Sequence, residues 1–152
     1  MPASQFASIS ALSDALGNHL GYSDWWDITQ DRVNTFADAT DDHQFIHVDP
    51  EKAALSPFGG TIAHGYLTLS LAVPLSQQIV SVDGVRMAVN YGANKVRFPA
   101  PVPVGSRLRA GAVLESVDDV AGGVQVVFTL TFEVEGGTKP VCVAETVSRY
   151  YF

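Results

Sequence analysis

Over residues 124–135 the chain alternates: Val124, Val126, Phe128, Leu130, Phe132 and Val134 are apolar, and Gln125, Thr129, Thr131, Glu133 and Glu135 are polar, with Val127 the one break in the polar series. A period of two is the pattern of an antiparallel strand with one face in a core and the other in water. Such a strand is unstable alone and needs neighbours, together with an apolar element laid across its inner face. Residues 86–91, 95–98, 107–115 and 141–151 are further strand candidates, separated by Gly92, by 99–105, by Gly122-Gly123 and by Gly136-Gly137. The cover is the run at 64–79, apolar on nearly every face, which predicts a buried central helix that Pro74 kinks or ends.

The first half of the chain carries helical spacing. Ile9, Leu12, Leu16 and Leu20 recur at steps of three and four, which predicts an amphipathic helix, with Gly17 and Gly21 near its end. A second helix is expected over 30–39, with Thr29 as N-cap, Asp31 in the first turn, and Val33, Phe36 and Ala37 on one face. Asp49-Pro50-Glu51 reads as a third helix start, because Asp caps free N–H groups and Pro is tolerated in the first turn. Helices first and strands after give an α+β class in which a sheet wraps one apolar helix. No linker, repeat or low-complexity segment divides the chain, so one domain is expected over 1–152.

Charge and cysteine content exclude several function classes. A net charge of −7 with only nine Lys and Arg leaves no basic patch for nucleic acid or an anionic membrane surface. Cys142, the single cysteine, has no intrachain partner, and its valine neighbours point to strand packing. Residues 1–20 hold no Lys or Arg and no apolar block of signal-peptide length, and the apolar run at 66–75 is too short to span a bilayer. A cytoplasmic protein without membrane association is the expectation.

The chemistry gathers at residues 42–47, Asp-His-Gln-Phe-Ile-His. Asp42 and His47 share a short connection between two helical pieces, and a carboxylate and an imidazole with a water between them suffice for acid–base work. Taken alone, an Asp and a His five apart are more often a loop cap and a surface imidazole. Beyond them, Ala63-His64-Gly65-Tyr66 opens the apolar run, where helix N–H groups favour negative charge. His43 and His19 read as solvent-facing and helix-end residues. A zinc site from His43, His47, Asp49 and His64 has suitable ligand types but no closed-site spacing. Lys95 and Arg97 are candidates for phosphate contacts or equally for ordinary solvated faces.

The stretch from Phe36 through Asp42, His47, Asp49 and Pro50, followed by Pro57-Phe-Gly-Gly-Thr-Ile-Ala-His64-Gly65, resembles the MaoC-type dehydratases, or R-specific enoyl-CoA hydratases. Within them it is most similar to the single-domain branch that includes nodulation-protein-N-like and mycobacterial hydratases. Val96-Arg-Phe-Pro-Ala-Pro-Val-Pro-Val-Gly105 extends the likeness over nearly the whole chain.

The resemblance implies a hot-dog fold, an antiparallel sheet around the helix that begins near His64. It implies a homodimer with the acyl tunnel near the interface. It carries the catalytic pair to Asp42 and His47 and places the Gly65 backbone N–H against a thioester carbonyl, with His64 in support. The implied activity is reversible, (R)-specific hydration of a trans-2-enoyl thioester, on CoA or acyl-carrier protein, without cofactor or metal. A hot-dog thioesterase and a noncatalytic acyl-thioester-binding module are the alternatives.

The chain departs from the family pattern at Asp41, where Gly is usual, and at Gln44 and Phe45, where Asn-Pro is common. Gly at position 41 would favour a positive φ. The extra carboxylate is expected to raise the pKa of a neighbouring carboxyl group and to favour protonated histidine.

Overall fold

The computed structural model describes residues 2–152. In chain order the elements are β1 (Ser4–Phe6), α1 (Ile9–Ser13), β2 (His19–Tyr22), β3 (Trp26–Asp27), α2 (Gln30–Thr40), α3 (Phe45–Val48), α4 (Pro50–Ala54), α5 (Gly65–Ser70), α6 (Ala72–Ile79), β4 (Val80–Val82), β5 (Met87–Arg97), β6 (Arg107–Val120), β7 (Gly123–Val134) and β8 (Cys142–Tyr151). The alternating segment is β7, at the middle of an antiparallel sheet ordered β2-β6-β7-β8-β5, with β3 also paired to β6. The short β1 and β4 form a separate parallel pair.

The inner face of this sheet is closed by the central helix. α5 packs on β8, and α6 packs on β6, β2 and β4. Leu75 and Ile79 from the helix and Leu114, Val126, Leu130 and Phe132 from the sheet are almost fully excluded from solvent. Each such side chain contributes roughly 1.5–3 kcal/mol by leaving water. The architecture is the α+β hot-dog arrangement, a curled sheet around an apolar helix.

Pro74 acts on the helix one turn upstream of itself. Its ring lacks an N–H and crowds the carbonyl of residue i−4, which is Ser70. Ser70 is where α5 ends, and Leu71, at φ −72° and ψ −5°, joins it to α6. The helix therefore continues through the proline and breaks before it.

Three expectations change. α1 stops at Ser13, so Leu16 is 49% exposed and Leu20 belongs to β2. Gly17 turns the chain with φ 78° and gives its N–H to the Leu114 carbonyl at 2.8 Å, so the sheet captures residues that match the helical spacing. Residues 86–91 and 95–98 are not two strands. Register shifts near Gly92 and Asn94 absorb the irregularity, and β5 runs unbroken over eleven residues. Finally, His47 lies inside α3, a single helical turn, and not in an irregular connection.

Capping chemistry explains the elements around the site. The Thr29 hydroxyl accepts from the Arg32 N–H at 3.2 Å and starts α2. The Asp49 carboxylate accepts from the Lys52 N–H at 3.0 Å and starts α4 at Pro50. Cys142 is fully buried at the head of β8 opposite Phe132, and burial pushes its thiol pKa up to about 11.

Candidate active site

His47 is buried, and its Nδ1–H donates to the Ile62 main-chain carbonyl at 2.7 Å. A carbonyl can only accept, so this bond places the proton on Nδ1 and leaves Nε2 as a bare lone pair. The turn is fastened at two further points. The Ile62 N–H bonds to the Ile46 carbonyl at 2.9 Å, and the Gln30 side-chain amide donates to the His47 carbonyl at 2.7 Å. Gln30 is itself fixed, since its Oε1 accepts from the Thr61 hydroxyl at 2.7 Å. Residues 61–63 are in turn held by 102–104, through Ala63 N–H to Val102 and Val104 N–H to Thr61.

Asp42 approaches from the other side. α2 ends at Asp41, which has φ 60° and ψ 18° and, among the described residues, is the only non-glycine with positive φ. The left-handed turn at the family's usual glycine position is thus kept, although an aspartate makes it. It carries Asp42 back towards His47. An Asp42 carboxylate oxygen and one ring nitrogen each of His47 and His64 lie within 4.8 Å of one another. Asp42 and His47 share no direct hydrogen bond, and a gap of this size suits a bridging water.

His47 is held below its ordinary pKa of 6.5, first by burial and then by His64, against the raising effects of the Ile62 bond and Asp42. Burial therefore favours the neutral imidazole, whose bare Nε2 can accept a proton. The carboxylate of Asp41 does not act on His47 as expected. Its charge bears on His43, whose pKa is raised chiefly by its 2.9 Å pairing with Asp38.

His43 and Asp49 are thereby taken out of the four-residue zinc cluster considered from the sequence. The residues that do converge are Asp42, His47 and His64, but the two rings are stacked at 3.9 Å with 23° between their planes. An imidazole binds a metal in its ring plane, and two nearly parallel planes cannot share one ion at coordination distance. The trio does not fit a metal.

Gly65 opens α5, where the first N–H groups lack intrahelical acceptors. It is not a positive-φ glycine; what it provides is space. A Cβ on Gly65 would come within 3.3 Å of the Phe98 ring. His47, Gly65, Thr68, Phe58 and Phe98 share a cavity of about 350 Å³, walled further by Pro101, Val102 and Val141. His64, at the N-cap, is buried and bonds through Nε2 to the Asp42 carbonyl at 2.9 Å. Neither Lys95 nor Arg97 lines this cavity.

Gln30 and Thr61 escaped the sequence reading. Gln30 looked like an ordinary first residue of a helix, and its partner lies 31 positions away. The only local signal was a polar residue, Thr61, at the head of an apolar segment.

The chain also matches known proteins over most of its length. The model described as MaoC like domain matches residues 11–135. The chain is 58% identical over 146 residues to a protein of Mycobacterium tuberculosis named 3-hydroxyacyl-thioester dehydratase Z, covering 95% of this chain and 97% of that one. It is 40% identical over 148 residues to Nodulation protein N of Rhizobium leguminosarum bv. viciae, covering 95% and 92%. Its fold matches the solved R-hydratase of Pseudomonas aeruginosa with a TM-score of 0.73 at 21% identity, over 90% of this chain and 81% of that chain. With the motif residues assembled on a hot-dog fold and the family model spanning most of its length, the chain belongs to the MaoC-like dehydratases.

Proposed function

We propose that this protein is a hydro-lyase that interconverts 3-hydroxyacyl and trans-2-enoyl thioesters, with the (R) configuration at C3. The observation that carries the reading is the fixed His47 tautomer, which leaves Nε2 bare, together with an Asp42 carboxylate oxygen within 4.8 Å of a His47 ring nitrogen. The close relationship to a 3-hydroxyacyl-thioester dehydratase supports the substrate class.

In the hydration direction, the water oxygen bonds to C3 while the Asp42–His47 pair takes the water proton. The electron pair of the C2–C3 double bond moves towards the thioester oxygen as an enolate. The Gly65 N–H donates to that oxygen, and such a donor contributes roughly 3–4 kcal/mol to the transition state. A proton returned from the pair to C2 completes the product, so the pair ends the cycle as it began. The two groups act as one titrating unit. None of these steps calls for a metal or a redox cofactor.

Two copies pair along β5 in this reading. β5 is the sheet edge opposite β2, and Met87, Val89 and Tyr91 on it are exposed. A long edge strand with unpaired backbone groups is an adhesive surface unless a partner covers it. Among the described residues no helix is long and apolar enough to cross a membrane.

The test is a spectroscopic hydration assay with enoyl-CoA and enoyl-acyl-carrier-protein substrates, with chiral analysis of the product. Loss of enoyl conjugation without thiol release, unaffected by a strong chelator, is the expected result. Release of free thiol would make the protein a thioesterase.

A further inference from the structure

His64 is an unusual N-cap. Residues at this position commonly turn a side-chain oxygen onto the first N–H groups of their own helix. His64 has the extended backbone of a cap, φ −61° and ψ 139°, but no side-chain capping bond. Its ring reaches across 22 positions to the main-chain carbonyl of Asp42.

The carbonyl accepts, so the His64 proton is on Nε2, and Nδ1 carries a lone pair. That Nδ1 is, among the described residues, the buried side-chain polar atom left without a partner. One face of the ring stacks on His47, and Phe36 is tilted against it at 4.9 Å.

From these contacts we infer that His64 is a positioning residue, which fixes Asp42 by its main chain and His47 by its ring face. The inference rests on the Asp42–His47 reading above and deepens it. Among the described residues the Asp42 carboxylate meets only the Gln44 N–H, at 3.5 Å. The stacked ring also withdraws His47 from water. One ring thus sets the spacing of the pair.

The titratable groups that bear on His47 are Asp42, from the loop after α2, and His64, from the turn before α5. Residues 61–63 and the Gln30 face of α2 present neutral groups. On α4, Lys52 is held over the Phe45 ring at 4.6 Å, and Asp49 is occupied as a cap. Asp38 and Asp41 act on His43.

Two substitutions separate the functions of the ring. His64→Phe keeps a stacked ring and removes the donor to Asp42; His64→Gln keeps a donor and removes the stack. His64→Phe should lower kcat on the order of a hundredfold, as expected for misplacing a reacting group, with KM little changed. His64→Gln should recover part of that loss, while the acid limb of its kcat/KM profile moves to higher pH as His47 regains solvent. Wild-type kcat and an unmoved acid limb in both variants would overturn the inference.

A measurement on the unmodified protein decides the case should either variant fail to fold. Nitrogen-15 NMR of the histidine rings at pH 8 should show the Nε2–H tautomer for His64. An Nδ1–H tautomer would leave no donor for the Asp42 carbonyl and would overturn its assigned role. The NMR result stands whatever the thioester assay gives. An inactive wild type with the Nε2–H tautomer at His64 therefore overturns the proposed reaction and leaves the tautomer assignment intact.

Discussion

The two halves of the candidate pair are held very differently. His47 is buried, its proton is fixed by Ile62, and its turn is fastened through Ile46, Gln30 and Thr61. Asp42 is exposed, follows a left-handed residue, and is anchored mainly through its backbone carbonyl. The contrast matches what each group must do. An imidazole is useful as a base only when the correct nitrogen is bare, which needs a fixed tautomer. A carboxylate has two equivalent oxygens and no tautomer to set, so reach is enough.

The largest expected effect lies where both halves meet the substrate. Gly65→Val should abolish hydration while far-UV circular dichroism stays native, because the new side chain presses on Phe98 and fills the approach to the backbone. Unchanged kcat would detach the helix start from the mechanism.

Next come the halves themselves. Asp42→Asn and His47→Gln should each slow hydration at least about a hundredfold, the usual scale for lost acid–base catalysis. The comparison sharpens in thermal melts: His47→Gln should lower Tm, since it leaves the Ile62 carbonyl without its donor, and Asp42→Asn should barely move it. Near-normal turnover in either variant would break the pairing.

The tether is tested by Thr61→Val. Removing the hydroxyl leaves the Gln30 Oε1 without this donor and should destabilise the fold by about 1–3 kcal/mol in denaturant titration. Activity should fall by less than in the dyad variants. Equal stability to wild type would mean that the Gln30 bridge is dispensable.

Acid should reveal the same asymmetry. Unfolded His47 binds its proton near 6.5 and folded His47 binds it at lower pH. The unfolded state therefore holds more protons in that window, and stability should fall as pH drops through 6.5 and level off below the folded value. In His47→Gln this component disappears. His43 has the opposite sign, but it is solvent-exposed and screened. An acid titration of stability identical in the variant and wild type would contradict the burial of His47.

The smallest effect belongs to the Asp42 side. Asp41→Gly relieves a side chain held at φ 60° and should alter stability by about 1 kcal/mol, with the strain relief opposed by extra freedom in the unfolded chain. A stabilised variant with unchanged kcat would show that Asp41 is tolerated for the turn and not needed for the reaction. A substantial loss of kcat would give its carboxylate a part in the site.

Local chemistry was legible in the sequence wherever a few adjacent residues decide the outcome. The alternation of β7 and the Thr29 and Asp49 caps have local causes, whereas the left-handed turn at Asp41 was expected only of a glycine. The errors arose where distant partners compete. Leu16 and Leu20 match a helix by spacing, yet the Gly17 bond to Leu114 takes the chain to the sheet. Gly92 looked like a boundary because the bulge that accommodates it depends on the register with β8. At the site, Asp42 and His47 are five residues apart and could be paired by eye. The Gln30–Thr61 bridge and the reach of His64 to Asp42 exist only once the fold closes.

Cys142 turns this sheet into its own clock. The chain's one thiol is fully buried opposite Phe132 and remains protonated well above neutral pH. A thiol reagent can reach it only when β7 and β8 part, and it reacts with the thiolate, which forms readily once the group is solvated. Labelling kinetics at this single atom therefore time the opening of the central strands without an introduced probe. Measured with and without substrate, they would show whether occupation of the site at one end of the helix is felt across the sheet.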